Sequence, residues 1–406
     1  MPGDVTDPLD DEIRYFKHWN DEGLRTRGFD RWNEIRSKVG DVFTTEARTP
    51  GSQNDKKWWY VLSYGETRNA LMSPELFSSS SPHASPTAQR LIPVGIDPPE
   101  HTKFRKLLIP PFAGREMKAR ESEIRAHCRS LIEEFAGRGE CDFVREFAVK
   151  YPTAIFLKML GLPLDKLSHY VSLVHTLTSI SPDDDMDGKI TETKYAELNG
   201  IFEALLEERR RKPTDDLMSY LIAARIDGEP ISQVDLLATC MLLLRGGVDT
   251  VAAQLGHTFL HLAQDEDLQQ RIKEETPDGL TRINDEFLRY YVAGNLIRTA
   301  TRDTEVGGCP IRQGDRVIMP RAACHRDAAE FNDPDTFDPD RRSNNHIAFG
   351  TGIHACLGAH LARLELRIAL EEWHKIIPRY RIKRGTSPTR RTTDLMLLVD
   401  DLQLEW

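Results

Sequence analysis

Cys356 lies in the run Phe349-Gly350-Thr351-Gly352-Ile353-His354-Ala355-Cys356-Leu357-Gly358-Ala359-His360, which brings a thiol, two imidazoles and three glycines together. Leu357, Leu361, Leu364 and Ile368 then recur at helical spacing, so the cysteine stands where a glycine-rich loop runs into a helix. The unpaired N–H groups and dipole at a helix start favour a thiolate. Gly350, Gly352 and Gly358 let a flat ligand or a metal approach the backbone. Three chemistries fit these residue types. A lone cysteine beside a turn is most often simply buried. His354, Cys356 and His360 are metal-ligand types, but a fourth ligand and the usual two-residue zinc spacing are missing. The glycines fall as GxG, five residues and a further Gly, which is not the GxGxxG of a dinucleotide loop.

A second cluster is Arg245-Gly246-Gly247-Val248-Asp249-Thr250. It interrupts an apolar pattern that starts at the capping box Ser232-x-x-Asp235 and runs to about Gln264, roughly 50 Å of helix. Leu236, Leu237 and Met241 to Leu244 make its first half apolar all round, as in a buried helix. Each glycine costs about 1 kcal/mol in a helix interior, and a buried Asp needs a partner. Two readings stay open: a helix opened for a ligand, or a helix–helix contact with an Asp at a kink.

The elements that must position these groups are mostly helical. Residues 115–137 and 195–211 carry mixed charge at helical spacing. Asp97-Pro98-Pro99-Glu100 reads as a helix start. Trp58 to Ser63 reads as a strand before a turn, 78–96 as a loop, and 305–320 and 380–405 as short hairpins. The 406 residues hold 54 Lys and Arg against 64 Asp and Glu, a net charge of −10, which argues against a general nucleic-acid binder. No run of 18 apolar residues predicts a membrane span, and the acidic Met1–Glu12 stretch is unlike a signal peptide. Six scattered cysteines without a CxxC pair exclude a disulfide scaffold and a c-type haem site, and the expected compartment is the cytoplasm.

The run Phe349 to Gly358 resembles the haem-ligand loop of the cytochrome P450 family, FGxGxHxCxG, at every fixed position. Glu286-Phe287-Leu288-Arg289 is similar to the family's ExxR helix, and Phe337 to Arg341 to the segment that supplies its third, arginine partner. Gly246 to Thr250 resembles the oxygen-binding groove of the long central helix, and Asp97 to His101 with Arg105 the haem-propionate helix. The resemblance implies a mainly α fold with small β-sheets. Haem b would lie buried between the central helix and the Cys loop. It also implies one domain over 1–406, with a β-rich lobe near 40–75, 300–325 and 380–406.

By the same resemblance Cys356 is the axial thiolate of the iron, shielded by Phe349, with Gly358 beside it; a thiolate favours O–O cleavage. Asp249 and Thr250 are the proton-delivering acid and alcohol. His101, Arg105, Arg298 and His354 meet the propionates. Glu286, Arg289 and Arg341 form a structural triad. The implied activity is monooxygenation of a small, mostly apolar, terpenoid-like substrate, as in the camphor-hydroxylating branch of bacterial class I members. Leu242, Arg245, Gly246 and Gln89 are the candidate substrate contacts. Arg245 binds a substrate carbonyl or carboxylate, or else pairs with Asp249 or another acid.

Peroxygenase, isomerase and haem-sensor functions remain as alternatives, against which Asp249 and Thr250 argue. Electrons are expected from an iron–sulfur ferredoxin reduced by a separate NAD(P)H-dependent flavoprotein. It would dock on residues 101–130, where eight Lys and Arg face three Glu. No nucleic acid or membrane partner is expected. Asp183-x-Asp185-x-Asp187-Gly188 imitates a calcium loop, but Lys194 stands at its twelfth position, and the run reads as an acidic surface loop.

Overall fold

Ser232 starts the longest helix as its spacing predicts: its Oγ accepts from the Asp235 N–H at 3.1 Å. The computed structural model describes residues 11–46, 57–80, 90–180, 183–185, 187–292 and 294–406. The chain is mainly helical. The helices that frame the site are α1 (Glu100–Leu108), α2 (Glu121–Ala136), α3 (Lys150–Leu160), α4 (Leu167–Ser179), α5 (Lys189–Arg211), α6 (Gln233–Leu262), α7 (Pro277–Tyr290) and α8 (Ala359–Ile376).

Helix α6 is long and apolar enough to cross a bilayer by composition, but it is mostly buried inside the protein as the core helix. It is also continuous through its glycine pair, so the expectation of a helix opened for a ligand is not met. Thr250 Oγ1 donates to the Gly246 carbonyl one turn back at 2.9 Å, sharing that acceptor with the backbone ladder. Helix α3, buried along nearly its whole length, packs across α6. A Cβ at Gly247 would overlap the Phe156 ring of α3, whereas a Cβ at Gly246 would meet nothing. The two glycines therefore serve different purposes, one for helix packing and one for the open side.

The strands β1 (Val42–Thr45), β2 (Trp58–Val61), β3 (Phe77–Ser78), β5 (Asn295–Ala300) and β6 (Arg316–Pro320) form one sheet in the order β1-β2-β6-β5-β3. All four β2 residues are buried, which is why that segment reads as an unbroken apolar run. Val317 of β6 pairs with Arg298 of β5, which fixes that arginine in a strand whose neighbours are buried on both sides.

Residues 316–320 thus enter this sheet, while the hairpin is the shorter pair Thr304–Val306 and Cys309–Ile311. The C-terminal strands join elsewhere. Strand β10 (Gln403–Glu405) lies between β7 (Arg381–Ile382) and Glu140–Asp142, here β4, and β8 (Thr389–Thr392) pairs with β9 (Leu397–Asp401). Strand β9 lies against α6 and brings Leu395 and Met396 to the same cavity as the helix centre.

Candidate functional site

Helix α6, the loop before α8, strand β5 and the segment 90–94 enclose a cavity of about 460 Å³. Its lining is mainly apolar: Leu91, Val94, Leu242, Val251, Leu296, Leu395 and Met396 are among the contributors. Thr250 and Gly246 open onto it from α6, and Phe349, His354, Cys356 and Gly358 from the opposite wall.

Cys356 is held by its loop. Its N–H donates to the Phe349 carbonyl at 2.7 Å, and Gly350 and Gly352 turn the backbone through positive φ, which a side chain would strain. Burial pushes the thiol pKa up. The Gly358 N–H and the cations Arg321, Arg105 and Arg363 oppose that by favouring thiolate. The helix start therefore does not act alone, and distant arginines share the task. Arg363 also lies over the Phe349 ring, 4.5 Å from its centroid.

One end of the cavity is built for anions. Arg105 donates to the Ala355 carbonyl, and Arg298 to Ile297 O at 2.8 Å, each leaving donors over. Burial holds both guanidinium pKa values below the usual range, Arg298 at about 10. The His101 and His354 rings stand 4.2 Å apart. Both His101 nitrogens and His354 Nε2 are buried without a hydrogen-bond partner. Burial, Arg298 and His101 together push His354 down to about 3. Crowded donors with one nearby acid, Asp97, are the chemistry of a carboxylate receptor. Arg321 joins them in the lining, tied to Gly294 O at 2.9 Å and to Ala348 O. No motif marks Arg321 in the sequence.

Arg245 lines the cavity and donates to the Tyr195 hydroxyl at 2.7 Å. It does not pair with Asp249. Its charge is felt by Asp394, whose carboxyl burial pushes up to about 6 in spite of Arg245. Asp249 turns away from the cavity into α4, where Thr178 Oγ1 bonds Oδ2 and His175 Nε2 lies 2.8 Å from Oδ1. The acid and the alcohol that adjoin in sequence thus face different ways. Tyr195, His175 and Thr178 were missed because a sequence pattern does not show contacts between separate helices. Gln89 lies outside the described residues. Arg90 reaches out to Glu100 and to Asp235 at 3.3 Å, and is no cavity ligand.

Glu286, Arg289 and Arg341 do meet. Arg289 forks onto Glu286 with two bonds of 2.8 Å, and Arg341 Nε reaches Glu286 at 3.1 Å. His325 is buried next to them: Nδ1 lies 2.9 Å from Arg289 O and Nε2 takes the Ile347 N–H at 2.9 Å, so the ring is a neutral strut. Among the described residues no three His, Cys, Asp or Glu side chains gather as a zinc or calcium site would need. Asp185 instead accepts the Ile190 and Thr191 N–H groups at the start of α5.

The basic stretch 101–130 is less free than its count suggests. Arg125 and Arg129 are spent on Glu372, Lys103 pairs with Asp227 and Arg115 with Glu116. Lys106, Lys118 and Arg120 have no acid within reach among the described residues.

Residues 84–406 match the family model described as Cytochrome P450. The chain is 36% identical over 341 residues to "Probable cytochrome P450 127A1" of Sinorhizobium fredii, covering 81% of this chain and 79% of that protein. It is 33% identical to "Steroid C26-monooxygenase" of Mycobacterium tuberculosis, covering 83% and 87%. The crystal structure of CYP101J2 superposes with a TM-score of 0.83 at 30% identity, covering 96% of each chain.

Proposed function

The chain belongs to the cytochrome P450 family of haem b monooxygenases, and from that premise we propose which residues serve the chemistry and what the substrate is. The carrying observation is that Cys356, Thr250 and Arg245 line one cavity. Haem b, when bound, supplies the iron that binds and reductively activates dioxygen.

Cys356 is the thiolate ligand; the Gly358 N–H, Arg321, Arg105 and Arg363 offset part of the burial that raises its pKa, and iron would complete the stabilisation of the anion. The two propionates take the unfilled donors of His101, His354, Arg105 and Arg298, a fit of charge and of orphaned nitrogens. Gly246 leaves the helix face bare where a flat group must approach. Thr250 holds a water at the cavity, and Asp249 replenishes its protons.

The substrate is a small, mostly apolar, terpenoid-like molecule with one carbonyl or carboxylate oxygen. Leu242 and Gly246 give it shape and Arg245, steadied by Tyr195, takes the oxygen. The steroid oxygenase named above supports a fused-ring skeleton of this kind. Electrons come from a ferredoxin and its flavoprotein reductase, in the cytoplasm, with Lys106, Lys118 and Arg120 as the cations left to meet an acidic partner.

Two spectra of the holoenzyme test the reading. The reduced, CO-bound form should show the red-shifted Soret band of thiolate ligation. In spin-shift titrations, Arg245→Leu should weaken a keto- or carboxy-terpenoid about tenfold or more and leave its parent hydrocarbon unchanged. Equal losses for both ligands, or for neither, reject the assignment of Arg245.

A further inference from the structure

Asp249 is only 2% exposed, so its carboxylate has no access to bulk water of its own. Two side chains of α4 reach it: Thr178 bonds Oδ2, and His175 Nε2 lies 2.8 Å from Oδ1, at ion-pair distance but off the line of a hydrogen bond, so that Oδ1 has no hydrogen-bond partner. They lead in opposite directions. Thr178 lines the cavity, and besides Asp249 its hydroxyl has two further acceptors, Val174 O at 3.0 Å and His175 O at 3.4 Å, so its single proton can turn among three partners. The His175 side chain is 35% exposed. Imidazole, carboxylate and hydroxyl thus form a line from solvent to the cavity wall. Among the nearby charged groups, Lys194 of α5 and His169 of α4 pair with Glu197, each at 3.2 Å, Lys158 of α3 pairs with Glu123, and Arg245 of α6 is held by Tyr195.

We propose that His175 is the positioning residue through which protons reach Asp249 from solvent. The inference rests on the monooxygenase reading, whose balance is RH + O₂ + 2 e⁻ + 2 H⁺ → ROH + H₂O, with the electrons from the redox partner. The protons must cross a wall that is largely apolar. A protonated imidazole, swung into line with Asp249 Oδ1, gives it the Nε2 proton and regains one from water. Asp249 then passes a proton from Oδ2 to the Thr178 oxygen as the Thr178 hydroxyl gives its own proton to a water in the cavity. Imidazole suits this work because it exchanges protons readily near neutral pH.

The test uses the holoenzyme. His175→Gln keeps a hydrogen-bonding group but removes the exchangeable charge, and His175→Lys restores a proton donor. His175→Gln should slow product formation about tenfold or more at unchanged KM, enlarge the solvent deuterium isotope effect and divert electrons to peroxide. His175→Lys should recover most of the rate. A structural role would not separate Gln from Lys in this order. The contact has its own readout in the diamagnetic, reduced CO-bound state. There the His175 Nε2–H should give an exchange-protected NMR signal that Asp249→Asn abolishes.

Wild-type turnover, coupling and isotope effect in His175→Gln overturn the proposal, as does a Lys variant no faster than the Gln variant. An NMR signal indifferent to Asp249→Asn also overturns it. Failure of the monooxygenase reading looks different: the wild type itself would make no product, with the His175 signal intact.

Discussion

Two kinds of buried polar group surround the core of this protein, and they differ in how fully they are satisfied. Glu286 of α7 takes five hydrogen bonds: from Arg289 Nε and Nη2, the Asp338 N–H, Arg341 Nε and Asn344 Nδ2. Arg289 spends its remaining donors on the carbonyls of His325, Pro334 and Thr336. At the cavity, His101 and Arg298 are nearly as buried, but both His101 nitrogens and His354 Nε2 lack partners. A saturated cluster fixes chain segments to one another; an unsaturated one waits for a ligand. The Glu286 cluster holds residues 325–344 against α7 and so supports the cysteine loop that follows them.

The largest expected effect tests that difference directly. Glu286→Ala leaves Arg289 as an unpaired buried charge and should cost about 3–5 kcal/mol of stability. His354→Phe removes an unsatisfied nitrogen and should leave the chain's stability within about 1 kcal/mol, while haem is lost faster. Denaturant unfolding followed by far-UV circular dichroism measures the first quantity, and haem transfer to a scavenging globin the second. If both variants unfold equally early, the distinction between saturated and waiting groups is wrong.

A smaller contrast lies within one helix. Gly247→Ala forces the Phe156 ring out of place between α3 and α6 and should cost about 1–3 kcal/mol. Gly246→Ala meets no atom and should stabilise α6 by about 0.5–1 kcal/mol, while weakening spin-shift titrations of bulky ligands. Thermal melts of the two variants should move in opposite directions.

These contrasts also mark what a sequence carries. The cysteine loop, the Glu286-x-x-Arg289 pair and the Ser232 cap are encoded over a few residues, and each was legible because its partners are neighbours in the chain. The two glycines of α6 were legible as a pair but not in their separate purposes, since the ring that fills the space at Gly247 comes from Phe156 on another helix. Arg245 was singled out correctly as unusual, yet its partner, Tyr195, is fixed by how α5 crosses α6. The basic count over 101–130 misled because the acid that neutralises Arg125 and Arg129 is Glu372, far along the chain on α8. Strand pairing was equally opaque: nothing local tells Glu140–Asp142 that it will join Gln403–Glu405.

The smallest effects come from titration, and buried imidazoles and a buried carboxyl should give opposite signs. On the packed side, burial lowers His18, His257 and His374 to about 4, against a backbone carbonyl at each ring that favours the charged form. Their unfolded pKa is about 6.5. The unfolded chain therefore binds more protons below that value, and the stability these rings contribute is present above pH 6.5 and lost as pH falls toward 4. Each ring adds a slope of about 1.4 kcal/mol per pH unit within that window.

Beside the cavity, Asp394 is pushed up to about 6 by burial, so its contribution runs the other way and is lost as pH rises from about 4 to 6. Glu372 does not blur this window. Burial would raise it, but Lys375, Arg125 and Arg129 hold it at about 2, so its contribution fades only below the ordinary carboxylate range. Urea unfolding between pH 4.5 and 6 should then show stability rising with pH in the wild type. His374→Gln should flatten that rise by about one proton, and Asp394→Asn should steepen it by about one proton. Two variants that change the slope in the same direction would show that His374 and Asp394 do not titrate with opposite signs.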